Sequence, residues 1–394
     1  MRARQVAQQS VVLVRNEPIA GTPLLPIDAA GLRQVAVIGH LADAVNTGDA
    51  GSSEVRPPDV VTPLAGLREA LDCEVVHDDG PDHTRAAERA AGADVAIVVV
   101  GYTSADEGEF IDPSANPELF ALFPPLDRDD PVAAELTKVI QGRGNNARGG
   151  DRAQLTLHEA DERLLLAVAA AQPRTVAVIV TGSAVVTERW RDAVPAIAVT
   201  WYSGMEGGRA LADVLLGRVE PSGRLPCAFP VDERDLPPFD RRAHQVEYGL
   251  FHGQQHHDHV GRPPAYPLGW GLSYTDFRYG PPELSVRDDH LDISVEVTNT
   301  GRRSGAEVVQ CYAAAPDSSV ERPHRWLVGF ERVPLDPGDR AQVSMRVPFE
   351  RLAYWDESRD GFVVEATPYQ LVVAPHAVDP GQSVSIELGE RIIP

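Results

Sequence analysis

The sequence predicts an α/β layer followed by an all-β sandwich. Three observations carry that expectation. The first half alternates short β-branched runs with amphipathic stretches, the rhythm of a doubly wound α/β sandwich. From about Leu284 the pattern changes to short alternating strands separated by Gly and Pro turns, as in a fibronectin type III-like β-sandwich. The 33 Gly and 33 Pro of the 394 residues make an all-helical bundle implausible.

The strands of the first part are near-continuous apolar runs, which suits parallel strands covered on both faces. They are Val35–Gly39, a weaker Cys73–His77, then Val95–Gly101, Val176–Thr181 and Ala196–Thr200. Between them fall three helix patterns. One begins at Thr62-Pro63, with Pro at a tolerated first-turn position, and runs through Leu64, Leu67 and Leu71. Glu159–Ala171 sets Leu164, Leu165, Val168 and Ala171 on one side, and Gly207–Leu216 does the same with Leu211, Val214 and Leu215. After Gly223, prolines punctuate a stretch with little periodicity, read as a connection or lid. The last part expects strands at Leu291–Val297, Glu307–Tyr312, Ala341–Val347, Tyr369–Val373 and Val384–Leu388. At roughly 150 residues per domain the length suits two or three domains. The expected boundaries are 1–225 for the α/β sandwich, 226–282 for the Pro-rich connection and 283–394 for the β-sandwich. Phe110–Gly150 is the least regular stretch and is expected to be a long mobile loop.

Charge narrows the function. Lys plus Arg is 36 and Asp plus Glu is 58, a net −22 that repels phosphate backbones and anionic lipid, so neither nucleic acid nor a membrane is an expected partner. No apolar run reaches the roughly 18–20 residues that span a bilayer. The amino-terminal stretch lacks the apolar core and small-residue cleavage site of a secretory signal, so a cytoplasmic location is expected. Cys73, Cys227 and Cys311 are far apart and form no CxxC, which points to buried free thiols. His252, His256, His257, Asp258 and His259 show no regular-element spacing and are expected to be a solvated loop, with no metal and no cofactor. Gly48–Ser53 lacks the Walker lysine and Ser183 is not in a GxSxG elbow, so nucleotide binding and a serine triad have little support.

Ligands of a parallel sheet sit beyond the carboxyl ends of its strands. Here those ends read Gly39-His40, Gly101-Tyr102-Thr103, Thr181-Gly182-Ser183 and Trp201-Tyr202-Ser203-Gly204. Such an aromatic, Gly-rich edge suits a sugar, because flat rings stack on its apolar faces. The loop after Gly101 holds Asp106, Glu107 and Glu109, three carboxylates whose mutual repulsion would favour a proton on one of them, as a general acid requires. A solvated acidic loop is the plain alternative. Glu206 opens a Gly-rich helix start, where a carboxylate suits the positive dipole end, and is read as structural.

The chain resembles the C-terminal half of a glycoside hydrolase family 3 enzyme, the β-glucosidase and β-xylosidase group. The residues that carry the resemblance run the length of the chain. They include Ser10–Glu17, Val35–Gly39, Gly51-Ser52-Ser53, Thr62-Pro63-Leu64, Gly150-Asp151-Arg152, Trp201–Gly208, Asp213–Gly217, Pro221–Pro226, Gly269–Thr275, Asn299-Thr300-Gly301, Arg322-Pro323 and Leu327–Phe330. The resemblance implies hydrolysis of β-glucoside or β-xyloside bonds by a retaining two-carboxylate mechanism. It implies an acid/base glutamate in a Glu-Gly-aromatic-Asp-Arg loop. Glu107-Gly108 is the nearest match, so Glu107 is the expected acid/base, with Glu109 before Phe110 as the runner-up. Asp151-Arg152 fits the Asp-Arg part, displaced by the irregular insertion. Tyr102, Glu109 and Arg152 are expected at the substrate. The family's barrel, of roughly 250 residues, has no counterpart in the patterns above, so the nucleophile is expected from a barrel domain, either on a separate chain or on a part lost if this is a truncated gene product. The partners expected are thus a small glycoside and such a chain. The alternative is a non-catalytic remnant that binds sugar or protein.

Overall fold

The structure, a computed structural model, describes residues 2–48, 55–107, 152, 154–239 and 245–393. In chain order it opens with helix α1 (Arg2–Ser10) and strand β1 (Val12–Asn16), then a two-residue hairpin of β2 (Pro18–Ile19) and β3 (Thr22–Pro23). The α/β part follows as β4 (Gln34–Ile38), α2 (Pro63–Ala70), β5 (Glu74–Asp78), α3 (His83–Gly92), β6 (Val95–Gly101), α4 (Ser104–Glu107), α5 (Glu159–Ala171), β7 (Thr175–Val180), β8 (Ala196–Val199) and α6 (Gly207–Leu215). After α7 (Gln254–Val260) every further strand is antiparallel.

The residues cluster into two compact units interleaved in sequence. The first takes Met1–Ala7, Leu32–Ser183 and Val199–Ala212; the second takes Gln8–Gly31, Ala184–Ala198 and Asp213–Pro394.

The first unit is built on four parallel strands in the order β7-β6-β4-β5. All seven residues of β6 and all six of β7 are buried, the burial expected of central strands covered on both faces. Thr62 caps α2 by accepting the Ala65 amide at 3.2 Å, and Pro63 occupies the first turn, where its missing N–H costs nothing. Asp82 caps α3 the same way, from the Thr84 and Arg85 amides. Helix α3 went unread in the sequence because its buried stripe is only Ala86 and Ala90, too small to stand out as an apolar period.

In the second unit β1 neighbours β8. The all-β part has one sheet of β10 (Glu283–Val286), β11 (His290–Asn299) and β14 (Arg340–Pro348), with β9 (Phe277–Tyr279) also on β11. A second sheet runs β13-β12-β17-β18, made of β13 (Trp326–Leu335), β12 (Gly305–Ala314), β17 (Pro368–Ala374) and β18 (Gln382–Glu387). A third, small sheet holds β15 (Tyr354–Asp356), β16 (Gly361–Val364) and β19 (Arg391–Ile393). Leu291, Ile293, Val295 and Val297 alternate into one core with Val309, Cys311, Leu371 and Val373. The expected α/β and fibronectin-like layers are therefore both present.

Two expectations need correction. The histidine segment is not a loop: α7 spans it between Gly253 and Gly261, both at positive φ, and His257 is buried with Nδ1 donating to the Arg262 carbonyl at 2.9 Å. Glycine at each end lets so short a helix start and stop sharply. The cysteines are all free, but only Cys311 is buried, its thiol pushed up to about 12 by burial; Cys73 and Cys227 are half-buried. Among the described residues no helix is long and apolar enough to cross a membrane.

Candidate active site

The candidate site lies wholly in the first unit, where the ends of β6 and β7 meet the segment from Val199. Gly101 ends β6 at φ 137°, and a Cβ there would collide with the Val180 carbonyl, so the two strand ends close up only with glycine. The chain then turns into the single-turn helix α4. Thr103 and Asp106 start it reciprocally: the Thr103 hydroxyl accepts the Ala105 amide at 3.2 Å, and the Asp106 carboxylate accepts the Thr103 amide at 2.9 Å. Glu107, the last residue of that turn, is thereby aimed inward.

Glu107 is 10% exposed and both its oxygens are engaged. Oε2 pairs with Arg152 Nε at 2.9 Å. Oε1 accepts the Tyr202 hydroxyl at 2.6 Å and the Gly182 amide. A Cβ on residue 182 would stand 2.9 Å from Oε1, so any larger residue there would push the carboxylate from its place. Charge-assisted bonds of this kind are the strong ones, and three of them fix the carboxylate in position and orientation.

Arg152 is 6% exposed and supported from beneath. Its guanidinium carbon lies 4.0 Å from the centre of the Tyr102 ring, and Nη2 also donates to Ser183 Oγ. Tyr102 is buried, which pushes its phenol up to about 12, and its hydroxyl donates to the Thr156 carbonyl. His158 packs edge-on against that ring at 5.5 Å, and its Nε2 sits 2.9 Å from Asp106. Asn46 donates to the Tyr102 carbonyl at 2.8 Å. At the end of β4, His40 Nδ1 lies 3.4 Å from Asp161, which raises the imidazole pKa through that bond.

Next to this cluster is a small hollow of 40 Å³ lined in part by Asn46, Thr200, Trp201 and Ser203. Trp201 has φ 56°. A bulky side chain in that region costs about 1–2 kcal/mol, strain that marks strand ends under functional constraint.

Of the residues expected from sequence, Glu107, Tyr102 and Arg152 come together. Glu109 and Asp151 lie outside the described residues, as do Phe110–Gly150 and most of Gly48–Ser53. Tyr102 and Arg152 were expected at the substrate; in the structure both side chains are engaged with other residues. Tyr102 presents no face to a sugar, because one side carries the Arg152 guanidinium and the residue is 2% exposed. Arg152 is spent on Glu107. Gly182 and Tyr202, expected only as part of the rim, both bond to Glu107. Glu206 ends a 3₁₀ turn, Gly204–Glu206, just before α6, and pairs with Arg209 at 2.8 Å.

The first unit thus places an inward carboxylate at the rim of a parallel sheet covered on both faces, in a chain that also carries a fibronectin-like sandwich. Comparison with known proteins gives the family. Residues 11–274 match the glycosyl hydrolase family 3 C-terminal domain and residues 307–377 the fibronectin type III-like domain. The chain belongs to glycosyl hydrolase family 3, as its C-terminal portion. It is 29% identical to a beta-glucosidase of Bacteroides ovatus over 98% of its own length and 51% of that protein. It is 32% identical to a periplasmic beta-glucosidase of Salmonella typhimurium over 90% of its length and 46% of that protein. The crystal structure of a Bifidobacterium adolescentis beta-glucosidase of the family superposes with a TM-score of 0.81 at 27% identity, covering 98% of this chain and 53% of that one. The chain thus spans about half the length of the curated relatives it matches.

Proposed function

We propose that the chain supplies the acid/base half of a retaining glycosidase acting on β-glucoside or β-xyloside bonds. The observation that carries this reading is the position of Glu107, held inward at the strand-end rim by Arg152, Tyr202 and the Gly182 amide. A retaining mechanism needs two carboxyl groups about 5 Å apart. The neighbouring carboxylate, Asp106, is committed to the Thr103 amide and His158. The nucleophile therefore comes from a barrel-bearing segment that docks over this rim. That nucleophile attacks the anomeric carbon, the glycosidic C–O bond breaks, and Glu107 gives its proton to the departing oxygen. Water then attacks the glycosyl–enzyme bond, Glu107 takes its proton, and the sugar leaves with the starting state restored. Tyr202 and Arg152 act as positioning residues for Glu107.

A second reading is favoured by one feature of the same geometry. Both Glu107 oxygens are already engaged and the side chain is 10% exposed. In that reading Glu107 is the anchor that orders Arg152 and the start of the loop, and Glu109 donates the proton.

The test is hydrolysis of aryl β-glucosides by this chain combined with the barrel-bearing polypeptide, comparing Glu107→Gln and Glu109→Gln. Loss of turnover with azide rescue in Glu107→Gln alone supports the first reading, and the same signature in Glu109→Gln alone supports the second. Full turnover in both variants defeats both. Binding of glycoside without hydrolysis by the unaltered combination would leave a sugar-binding role.

A further inference from the structure

The second unit has a cleft of its own, about 590 Å³ in volume, beside the ends of β12, β17 and β18. Its polar lining is Arg322, His324, Arg325, Ser318, Gln370 and Ser383, and the walls between them are alanine, valine and proline. None of the lining side chains is acidic, in a chain whose net charge is −22. A concave surface of one sign within low-dielectric walls focuses the field on a small ion of the opposite sign.

The two arginines differ: Arg322 is paired with the buried Glu365, whereas Arg325 bonds no carboxylate. Arg325 is half-buried; its Nη1 donates to the Asp379 carbonyl at 2.8 Å and its guanidinium carbon lies 5.6 Å from the Tyr312 ring centre. Neither partner is a carboxylate; burial lowers the arginine's pKa, while the more distant charges of Asp258 and Asp379 act the other way. Arg322 is 9% exposed. Its Nε bonds Ser318 and Glu365, each at 3.2 Å, and its Nη1 bonds the Leu352 carbonyl at 3.1 Å. Its Nη2 is buried without a hydrogen-bond partner among the described residues. A half-buried guanidinium without a carboxylate partner, such as that of Arg325, gains from a planar, charged acceptor.

We propose that this cleft binds a small organic carboxylate of about uronic-acid disaccharide size. The volume falls in the ordinary range for small-ligand sites. Arg325 takes the carboxylate, the hydroxyl and amide side chains take neutral polar groups, and the apolar walls take a carbon skeleton that inorganic phosphate does not have.

The test is isothermal titration of the full chain with a uronic-acid disaccharide, the matching neutral disaccharide and inorganic phosphate. The acidic sugar is expected to bind with a Kd of about 1 mM or tighter, and the other two about tenfold more weakly or worse. Arg325→Gln is expected to weaken it about tenfold, with Arg325→Lys in between. Should Arg325→Gln fail to fold, the NMR shift of the Arg325 Nε–H in the unaltered chain reads the same contact, and it should move on adding the acidic sugar alone. Equal binding of the neutral sugar, phosphate binding as tight as that of the acidic sugar, an unaffected Arg325→Gln, or no binding at all would each overturn the proposal.

Discussion

Glu220 is expected to make the second unit lose stability as pH rises through neutrality. It is enclosed by Ser273, the Ala306 amide at 3.0 Å, Arg224 and Glu307. Burial is the largest influence and pushes its pKa from 4.5 to about 7; the bonds from Ser273 and Ala306 and the charge of Arg224 pull the other way, and Glu307 adds to the rise. Below pH 4.5 the carboxyl carries its proton in both folded and unfolded chains, and stability is at its fullest. Between 4.5 and 7 the unfolded chain releases the proton first, so stability falls, and above 7 the whole penalty is present. A shift of roughly 2.5 units at 1.36 kcal/mol each gives about 3 kcal/mol. Glu220→Gln keeps a carbonyl for the Ala306 amide and never ionises. Urea unfolding of both proteins at pH 4.5 and pH 8 should show the variant gaining about 3 kcal/mol on the wild type across that interval. The comparison isolates Glu220 from carboxylates such as Asp78, whose lowered pKa, due chiefly to Arg85, contributes stability that is lost as pH falls. A difference constant to within about 0.5 kcal/mol would refute the reasoning.

Three further outcomes follow from close contacts. Arg224 and Glu307 form a buried pair at 3.1 Å, with Tyr279 also donating to Glu307, so Arg224→Ala should cost about 3–5 kcal/mol in urea unfolding, while replacing both by apolar residues should recover much of it. Gly208→Ala would drive a Cβ into the Thr62 carbonyl, where α2 and α6 meet backbone to backbone, and should cost about 3 kcal/mol, read as a fall in Tm. Tyr202→Phe removes a donor from Glu107 and should lower stability by about 2 kcal/mol; an unchanged melt would mean that the hydroxyl does not hold the carboxylate.

How much of this was legible in the sequence depends on how far apart the interacting residues are. Strand β6 and helix α5 were read with the bounds the structure has, since a seven-residue β-branched run and a 13-residue apolar stripe are local signals. Local reading failed where the signal was weak. Helix α3 buries only alanines, α7 is set by its flanking glycines rather than by its histidines, and β13 (Trp326–Leu335) was seen only as a short family tag. The fold class survived these misses because the central strands and the alternating strands of β11 determine the layers.

The site divides along the same line. That Glu107, Gly182 and Tyr202 share one rim follows from each lying just past a strand, a position the sequence exposes. That they bond to one another does not, because the partners stand 75 and 95 residues apart and meet only once β6 and β7 are in register and Thr200 has bonded back to Ile179 at 2.9 Å. Tyr102 shows the consequence most clearly. Its type and its strand-end position both suited a sugar, yet the ring carries a guanidinium. An aromatic at a rim can stack on a substrate or prop up the residue that positions the acid. Only the neighbour that occupies its face decides between them, and here that neighbour is Arg152, fifty residues further along the chain.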